Sequence, residues 1–450
     1  MGAKDVGAKD ADASGQNIDT KVFAKLSKLI GQGADTLVVA FSGGGDSTAL
    51  LSLVVKWAGK RSVCALIVDH GLRDGSRDEA KLALRRALAM GASAKILTCH
   101  WQDGIPKTGI QEKARKARYH VLAQACQGIG ACKLLLGHNV DDQAETVLMR
   151  KDAGSGWRGL AGMAERAAYP VWPIVQDVVI IRPLLMCTRE VLRTYNRENG
   201  LAWIDDPSNE NHQFTRIRVR NQLMGKDDAT QKLLIIAKAA REIVEQERGE
   251  INQFIQSFTE IYEWGGIAIL PGFSKARIGQ IAEALKYLIP AISGQETAPN
   301  IQKRMQLTRR LRRINFDGAT LGGVRFVPRK DDILCVRDPG AVIGRTQVKA
   351  LPALELAAHK PDIWDGRFKV ISKMDAVTVM PLGLWQNTLK DEHRALLNAL
   401  PETVRACFPV FIRNESIIHI PFVDYPAPTH GFSAVSLIGT RLASLLGHFD

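Results

Sequence analysis

Six consecutive residues carry the clearest chemistry of the chain, and they read Ser42-Gly43-Gly44-Gly45-Asp46-Ser47. They lie between a short apolar run, residues 36–41, and a segment with helical spacing, residues 47–57. The glycines let the backbone reach positive φ and approach a ligand closely, because no Cβ is in the way. The N–H groups at the start of a helix, together with the serine hydroxyls, favour an anion. The segment therefore predicts a phosphate-binding loop.

Asp46 distinguishes this loop from the common nucleotide-binding motifs. A Walker A loop would have a lysine at this position, and a dinucleotide-binding loop would have the spacing G-x-G-x-x-G. An acid beside bound phosphates is repulsive unless Mg²⁺ or a substrate ammonium group bridges the two. We therefore expect Asp46 to hold a cation next to the phosphates.

The elements that must position this loop alternate between strand and helix. Continuous apolar runs, typical of strands buried on both faces, occupy residues 36–41, 62–68, 95–99, 133–136 and 178–181. Helical periodicity follows in residues 47–57, 76–90, 110–127, 141–151 and 189–199. Strands that alternate with helices of this length indicate βαβ units. We therefore predict the α/β fold class, with a doubly wound, Rossmann-like parallel sheet.

The rest of the chain predicts three further regions. Residues 1–20 repeat a small polar unit and offer almost nothing to bury, which predicts a disordered tail. The doubly wound domain is expected over 21–225, a helical and mixed basic region over 226–350, and a small α+β domain over 351–450. In the middle region, residues 227–262 show one apolar helical stripe and residues 319–336 show short β-like runs.

The loop S-G-G-x-D-S after a first strand resembles the PP-loop, or N-type ATP pyrophosphatase, superfamily. Members of this superfamily use ATP to attach AMP to a carbonyl oxygen and release pyrophosphate. Further segments narrow the resemblance to the tRNA(Ile)-lysidine synthetases, and they are residues 68–73, 111–119, 137–146, 154–156, 159–163 and 203–209. The resemblance covers residues 36–223 well.

This family resemblance implies an activity. Its members convert the wobble cytidine of tRNA(Ile) with a CAU anticodon to lysidine, through an adenylated tRNA intermediate. ATP and Mg²⁺ would serve as cofactors, and free L-lysine would be the nucleophile. The phosphate loop would then bind ATP through Ser42, Gly43, Gly44, Gly45, Asp46 and Ser47.

Three carboxylates lie at the start of the fourth helix: Asp141, Asp142 and Glu145. Asp142 is three residues and Asp141 four residues before Glu145, so the carboxylates share one face of the helix. The resemblance places the fourth strand beside the first, so these acids would face the phosphate loop. The acids then need a cation, and Mg²⁺ on Asp46 and Asp142 or the lysine ammonium on all three are the candidates. One of the carboxylates is expected to accept the proton that the lysine amine must lose. The alternative is that these carboxylates are simply solvated, since the helix dipole favours acidic side chains in the first turn of a helix.

Basic residues near this site have two interpretations each. Arg115 and Arg118 share one helix face, and the resemblance implies that they neutralise the triphosphate or the oxyanion at the cytidine carbonyl. A solvated basic face is the alternative. For His138, just before the fourth helix, one interpretation is a contact with adenine or phosphate. The alternative is a polar residue at a strand end that is satisfied by hydrogen bonds within the fold.

Two further basic groups predict contact with tRNA. Arg216, Arg218 and Arg220 alternate after residues 205–209 and resemble the basic segment that closes this domain in the family. The chain carries a net charge of +13, and residues 301–330 contain nine basic residues against one acid. Neutralising phosphates releases condensed counterions, so nucleic acid is the natural partner of this stretch. The expected tRNA contacts there are Arg309, Arg310, Arg312 and Arg313.

The sequence departs from the family pattern in two places. Ala153 stands where the family usually has an arginine before Gly-Ser-Gly, and Arg150, Lys151 or Arg158 are the candidates to compensate. The usual Arg-Asn-Arg run is Phe214-Thr215-Arg216 here.

The competing functions are a tRNA 2-thiolation enzyme, which would need a C-x-x-C pair, and a non-catalytic RNA-binding protein, which would have an eroded loop.

Cysteine usage and hydropathy predict the compartment. Seven scattered cysteines without a C-x-x-C pair favour reduced thiols, and no run of about 18 apolar residues suggests a membrane span. A cytoplasmic enzyme with no membrane partner is therefore expected. A homodimer is plausible only by analogy with the family.

Overall fold

The computed structural model describes residues 11–31, 36–72, 75–101, 104, 106, 108–131, 133–173, 178–204, 215–346, 348–389, 394–423 and 431–448. The chain forms two compact units, Met1–Glu247 and Arg248–Asp450. Among the described residues there is no helix whose length and apolar character would let it cross a membrane.

The first unit is built on a six-stranded sheet with the order β3-β2-β1-β4-β6-β5. Its strands are β1 (Leu37–Ala40), β2 (Val63–Asp69), β3 (Ser93–Thr98), β4 (Lys133–Leu135), β5 (Arg166–Ala168) and β6 (Val179–Ile181). All neighbours pair in parallel except β5, which pairs antiparallel with β6 at the edge. The prediction of an α/β fold with a doubly wound parallel sheet is confirmed.

Helices cover this sheet, and their bounds are α1 (Ala11–Ile30), α2 (Gly45–Ala58), α3 (Ser76–Ala89), α4 (Ile110–Ile129), α5 (Val140–Asp152), α6 (Trp157–Leu160), α7 (Arg189–Glu198), α8 (Thr215–Leu223) and α9 (Asp227–Phe258). Leu66, Leu134 and Ile180 on the central strands pack with Tyr119 and Leu122 of α4 in one buried cluster. Because both faces of the central strands are covered, the strands have the continuous apolar runs seen in the sequence.

The structure differs from the predicted disordered tail over residues 1–20 in that α1 begins at Ala11. Its buried side chains Ile18, Val22, Leu26 and Ile30 are four residues apart, and Leu29 lies three residues after Leu26. This spacing gives one apolar face. The buried side chains of α1 lie in its carboxyl-terminal half, whereas the small polar residues at its start gave no apolar pattern from which a helix could be predicted.

The second unit contains three antiparallel sheets and the carboxyl-terminal end of α9. A five-stranded sheet has the order β7-β8-β11-β10-β9 and consists of β7 (Thr259–Tyr262), β8 (Gly266–Ile269), β9 (Ala319–Leu321), β10 (Val324–Pro328) and β11 (Ile333–Arg337). The other two sheets have the orders β12-β15-β16-β17 and β13-β14-β18, with β12 (Leu354–Leu356), β13 (Asp362–Trp364), β14 (Phe368–Ser372), β15 (Val377–Pro381), β16 (Pro409–Arg413), β17 (Ser416–His419) and β18 (Phe432–Ser436). The helices of this unit are α10 (Ile278–Ser293), α11 (Ile301–Leu311), Glu402–Arg405 and Ile438–Leu446.

The division of the chain differs from the predicted boundaries near 225 and 350. The first boundary lies inside α9, between Glu247 and Arg248. Residue 350 separates no units, because Leu334 and Val336 of β11 share a buried cluster with Leu382 and Phe408. An apolar core that includes residues from both sides of 350 makes residues 248–450 one unit.

Candidate active site at the carboxyl ends of the parallel strands

A cavity of about 650 Å³ opens at the carboxyl ends of β1, β2 and β4. Its polar lining consists of Ser42, Asp46, Ser47, Asp69, His70, Ser76, Glu79, Gln111, Arg118, Tyr119 and His138. Its apolar lining includes Leu66, Val68, Leu72, Leu122 and Leu136. The sheet order reverses between β1 and β4, and ligands of doubly wound sheets bind at such a switch point.

The phosphate-binding loop lies on this cavity and is held by its own hydroxyls. Ser42 Oγ and Ser47 Oγ are 3.1 Å apart, and Ser47 Oγ donates to the Gly44 carbonyl at 2.9 Å. Gly44 is the N-cap of α2 and makes no side-chain capping bond. The first turn of α2 therefore presents backbone N–H groups and the positive end of its dipole to an anion.

Two glycines are required by close backbone approaches. Gly43 has φ +79°, and a Cβ there would lie 2.9 Å from Ile204 Cδ1 and 3.2 Å from Ala83 Cβ. A Cβ on Gly137, which follows β4, would lie 3.2 Å from the Asp46 carbonyl group and from Ser47 N. Gly137 therefore lets the end of β4 pack directly against the phosphate-binding loop.

Replacing Gly43 with Ala is expected to weaken ATP binding about tenfold, because the new Cβ strains the loop and pushes against Ile204. Gly130→Ala is the matched control, since Gly130 has φ +73° with no atom within 4 Å of a new Cβ. Both variants should lose about 1–2 kcal/mol of unfolding free energy for the left-handed conformation. Isothermal titration with ATP checks the difference, and equal affinities for the two variants would contradict it.

An arginine that the sequence analysis missed lies at the centre of the acidic cluster. Arg189 is the first residue of α7, and its Nε lies 3.7 Å from Asp46 Oδ2. Its Nη2 lies 3.4 Å from Asp142 Oδ1 and 3.5 Å from Glu145 Oε1. The structure therefore brings together the carboxylates of the loop and of α5, as predicted from the family resemblance, with a guanidinium among them.

Glu145 is the most enclosed of these carboxylates, with 2% of its side chain exposed. Arg216 Nε and Arg220 Nε each donate to it at 2.8 Å, one to each carboxylate oxygen. The two arginines are four residues apart on α8 and therefore lie on one face. Arg218 lies between them in sequence, is exposed, and donates to Thr215 Oγ1 on its own helix.

The backbone N–H of Arg189 is also held by the cluster. Asp141 Oδ2 accepts it at 2.7 Å, which joins the start of α5 to the start of α7. Asp142 forms a capping box with Asn139, whose side chain accepts from the Asp142 N–H at 2.9 Å. These local bonds fix where the carboxylates of α5 stand.

The environment separates the carboxylates into two kinds. Burial raises the pKa of Asp142 above its ordinary value, although Arg216 and Arg189 oppose this effect. Burial also raises the pKa of Asp46, against the opposing charge of Arg189. For Glu145, burial acts in the same direction, but the hydrogen bonds from Arg220 and Arg216 outweigh it and leave the pKa below its ordinary value. Asp142 and Asp46 are thus the carboxylates more ready to take up a proton.

Replacing Glu145 with Gln is expected to lower the unfolding free energy at neutral pH by about 2 kcal/mol, because two charge-assisted hydrogen bonds lose their acceptor charge. Since the folded pKa of Glu145 lies below the unfolded value of 4.5, this stabilisation is present above 4.5 and is lost as the pH falls through the folded pKa. Chemical denaturation at several pH values should show that the unfolding free energies of the variant and the wild type converge as the pH becomes acidic. Glu112→Gln, on an exposed pair with Lys116, is the control that should show no such dependence. A pH-independent difference would contradict the role given to this carboxylate.

The predicted basic residues of α4 separate in the structure. Arg118 lines the cavity, and burial lowers its pKa. None of the described carboxylates forms an ion pair with it, so its positive charge is available to an anion in the cavity. Arg115 is exposed, with its guanidinium 4.9 Å from the Tyr119 ring centroid, and does not line the cavity.

The loop after α5 is fixed by side chains that the sequence did not single out. Gln143 donates to the Met163 carbonyl at 2.8 Å and accepts from the Met163 N–H at 2.6 Å. Ala153 is the C-cap of α5, and Arg158 pairs with Glu247 at 2.9 Å. Arg150 and Lys151 are exposed at the end of α5. Residues 205–209 and Phe214, which also belong to the family motifs, lie outside the described residues.

The basic stretch of the second unit is partly engaged within the fold. Arg304 is buried and donates to the Ala282 carbonyl at 2.7 Å. Arg310 pairs with Asp317 at 3.2 Å, and Arg312 donates to the Ala276 carbonyl at 2.6 Å. Arg309 and Arg313 are exposed. The excess charge is therefore partly used to hold α11 in place.

The described cysteines do not form a sulfur-carrying site. Cys64, Cys99, Cys126, Cys187, Cys335 and Cys407 are free and buried. Burial raises the pKa of Cys126 to about 12, which disfavours the reactive thiolate. Cys132 lies outside the described residues.

Fold and site together define a PP-loop enzyme, a class whose domain implies ATP binding. A family model described as a PP-loop domain matches residues 17–227. A tRNA(Ile)-lysidine synthase from Hyphomonas neptunium is 38% identical over 75% of this chain and 92% of its own length. One from Caulobacter vibrioides is 34% identical over 92% of this chain and 94% of its own length. The chain belongs to the tRNA(Ile)-lysidine synthase family.

Membership of this family confirms the prediction that the chain is an enzyme, a ligase. Among solved structures, the U34-tRNA thiolase NcsA from Methanococcus maripaludis aligns at 17% identity over 52% of this chain and 80% of its own, with a TM-score of 0.45.

Proposed function

We propose that this chain uses ATP to join L-lysine to C2 of the wobble cytidine of tRNA(Ile). In the first step the C2 oxygen of cytidine attacks the α-phosphorus of ATP, the bond to the β-phosphate breaks, and diphosphate leaves. In the second step the lysine ε-amine attacks C2 and loses a proton, and AMP leaves with the former C2 oxygen. Reaching that atom requires an unstacked base, which an anticodon loop supplies.

One observation carries the proposal: Asp46, which lines a cavity of about 650 Å³, meets the carboxylates of α5 around Arg189. The anionic end of ATP would lie against the first turn of α2, with Arg118 as a further cation. The apolar cavity wall, which includes Leu66, Val68 and Leu122, would enclose the base.

The donor set suits Mg²⁺ bound together with substrate phosphates. Among the described residues no three His, Cys, Asp or Glu side chains are grouped to hold a metal on their own. Mg²⁺ at phosphate sites takes one or two protein carboxylates and fills its remaining positions with phosphate oxygens and water. Asp46, on the cavity and 28% exposed, with Asp142 close enough to influence its pKa, matches this requirement. The ion would neutralise charge on the leaving diphosphate.

The carboxylates of α5 would serve the lysine step. Asp142 carries the raised pKa, so we propose it as the acceptor of the proton that the lysine ammonium loses before attack. Asp141 and Glu145 would hold the lysine ammonium groups. Because Arg216 and Arg220 engage Glu145, lysine binding would have to share or displace these contacts.

Each unit carries exposed arginines that would contact tRNA. Arg218 is exposed on α8, and Arg309 and Arg313 are exposed at α11 and just after it. Arg310 and Arg312 are near them in sequence, although each already has a partner in the fold. Salt-dependent binding to tRNA would follow from contacts between these arginines and phosphates.

Product analysis tests the proposed function directly. The protein is incubated with a tRNA(Ile) transcript, ATP, Mg²⁺ and labelled lysine, and the nucleosides are examined by mass spectrometry. We expect diphosphate release that depends on tRNA, and lysidine only when lysine is present. A thiolated nucleoside would support the 2-thiolation alternative. Binding of tRNA without ATP consumption would support a non-catalytic RNA-binding protein.

A further inference from the structure

A buried arginine that has no part in the proposed chemistry contacts a histidine on the nucleotide cavity. Arg182 follows β6 directly and is 7% exposed. Its Nε donates to His138 Nδ1 at 3.3 Å, and its Nη1 donates to the Ala164 carbonyl at 2.8 Å. Its own backbone N–H donates to the Glu165 carbonyl at 2.8 Å. Hydrogen bonds therefore hold both the backbone and the guanidinium of Arg182 in place.

This contact determines where the imidazole carries its proton. A guanidinium has only donors, so the Nδ1 of His138 must act as an acceptor and carries no hydrogen. A neutral imidazole holds its single proton on the other nitrogen, which is Nε2. His138 therefore has a hydrogen-bond donor, and not an acceptor, left for the cavity that it lines.

The position of His138 indicates which ligand atom would receive that hydrogen bond. It follows Gly137, where a Cβ would be 3.2 Å from the Asp46 carbonyl group and from Ser47 N. His138 also lines the same cavity as Ser42, Asp46 and Ser47 of the phosphate-binding loop. Phosphoryl oxygens are acceptors only, and they match a donor at this point.

We infer that Arg182 is a positioning residue that locks His138 in the Nε2–H tautomer, so that His138 donates a hydrogen bond to a phosphoryl oxygen of the nucleotide. The inference rests on the proposed function for the identity of the ligand. The tautomer itself does not, because it is set by protein contacts alone.

The charges around His138 keep the ring neutral. Arg182 follows β6, Arg115 and Arg118 lie on α4, and Arg216 lies on α8. Burial and then these four guanidinium groups hold the pKa of His138 well below its ordinary value. The KM for ATP of the wild type should therefore show no inflection near the ordinary pKa of histidine, about 6.5.

The test begins with the protein without nucleotide. In ¹⁵N-histidine-labelled wild-type protein, NMR at neutral pH should show an unprotonated Nδ1 and a protonated Nε2 for His138, assigned with His138→Gln. A protonated Nδ1 would overturn the inference and leave the proposed function intact. Conversely, absence of lysidine formation would refute the proposed function without affecting the tautomer.

Two substitutions of His138 then test whether a hydrogen-bond donor at the position of Nε2 is what ATP binding requires. Gln places an amide nitrogen near the position of Nε2, whereas Asn places it near Nδ1. His138→Asn should raise the KM for ATP about tenfold, and His138→Gln only about threefold. The reverse order, or equal effects, would overturn the donor role.

Arg182→Met removes the guanidinium and keeps an apolar side chain. This variant should raise the KM for ATP about tenfold, because the imidazole is no longer held in the Nε2–H tautomer and can place its proton on Nδ1 instead. Arg193→Met, on the exposed face of α7, is the control and should leave the KM unchanged. An unchanged KM for ATP in Arg182→Met, or a His138 Nδ1 that stays unprotonated in the NMR spectrum of this variant, would overturn the inference. If Arg182→Met does not fold, the NMR measurement and the two His138 variants decide it.

Discussion

Replacing Asp46 with Asn should lower the rate of lysidine formation about 100- to 1000-fold, the loss typical of removing one preorganised electrostatic group from an active site. Asp46 is in the first turn of α2 and lines the cavity of about 650 Å³, and its carboxylate is proposed to hold Mg²⁺ against the phosphates. Asparagine keeps the shape of the side chain but has no charge with which to hold the ion. Diphosphate release in the presence of tRNA is the measurement, because it reports the first step alone.

The same substitution should leave the fold intact, which separates a catalytic effect from a structural one. Burial raises the pKa of Asp46 in the folded protein above the model-compound value of 3.8. For such a group the contribution to stability is present below 3.8 and is lost as the pH rises through the raised pKa. At neutral pH the charged form is therefore a cost to folding, and Asp46→Asn should unfold at no lower denaturant concentration than the wild type.

A carboxylate elsewhere on the same unit provides the control. Asp78 lies in the first turn of α3, its side chain is 81% exposed, and it pairs with Lys81 at 3.0 Å. Asp78→Asn should release diphosphate at the wild-type rate. Full activity of Asp46→Asn in the same assay would remove Asp46 from the catalytic machinery.

Replacing Arg189 with Ala should cost about 3 kcal/mol of unfolding free energy at neutral pH, because it leaves partly and fully buried carboxylates without their shared cation. Asp46, Asp142 and Glu145 lie within 3.7 Å of this guanidinium, and its side chain is 17% exposed. Without it the carboxylates repel one another across the site. Lysidine formation should fall together with stability, since the same carboxylates are proposed to bind the ion and lysine.

The pH dependence identifies the cause of that loss. Acid protonates the carboxylates and removes their repulsion, so the gap in unfolding free energy between wild type and Arg189→Ala should narrow as the pH falls. Arg189→Lys should recover only part of the stability, because a lysine ammonium cannot reproduce the planar fork that reaches three carboxylates. Both variants are measured by chemical denaturation over a range of pH.

Arg197→Ala is the control on the same helix. Arg197 forms a surface pair with Glu190 at 3.1 Å, and both side chains are more than half exposed. Its loss should cost no more than about 0.5 kcal/mol, as is usual for an exposed pair. If Arg189→Ala were no more destabilising than Arg197→Ala, Arg189 would not be the shared counterion.

The fold of the first unit and the place of the glycine-rich loop of residues 42–47 between β1 and α2 could both be predicted from the sequence. Strands buried on both faces must be apolar throughout, so β1, β2 and β4 were visible as short continuous runs. The loop was visible because glycine and a strand–helix junction are local properties of the chain.

The ion pairs between charged residues that are distant in the chain could not be predicted from the sequence and became visible only in the folded structure. Glu145 meets Arg216 and Arg220, which are more than seventy residues away, and nothing in the local pattern around 189 marked Arg189 as their neighbour. The alternating arginines of residues 216–220 belong to a helix, so two of them turn toward Glu145 and Arg218 faces outward. Apolar periodicity is set by each element separately, whereas the neutralisation of a buried charge depends on which elements the fold brings together.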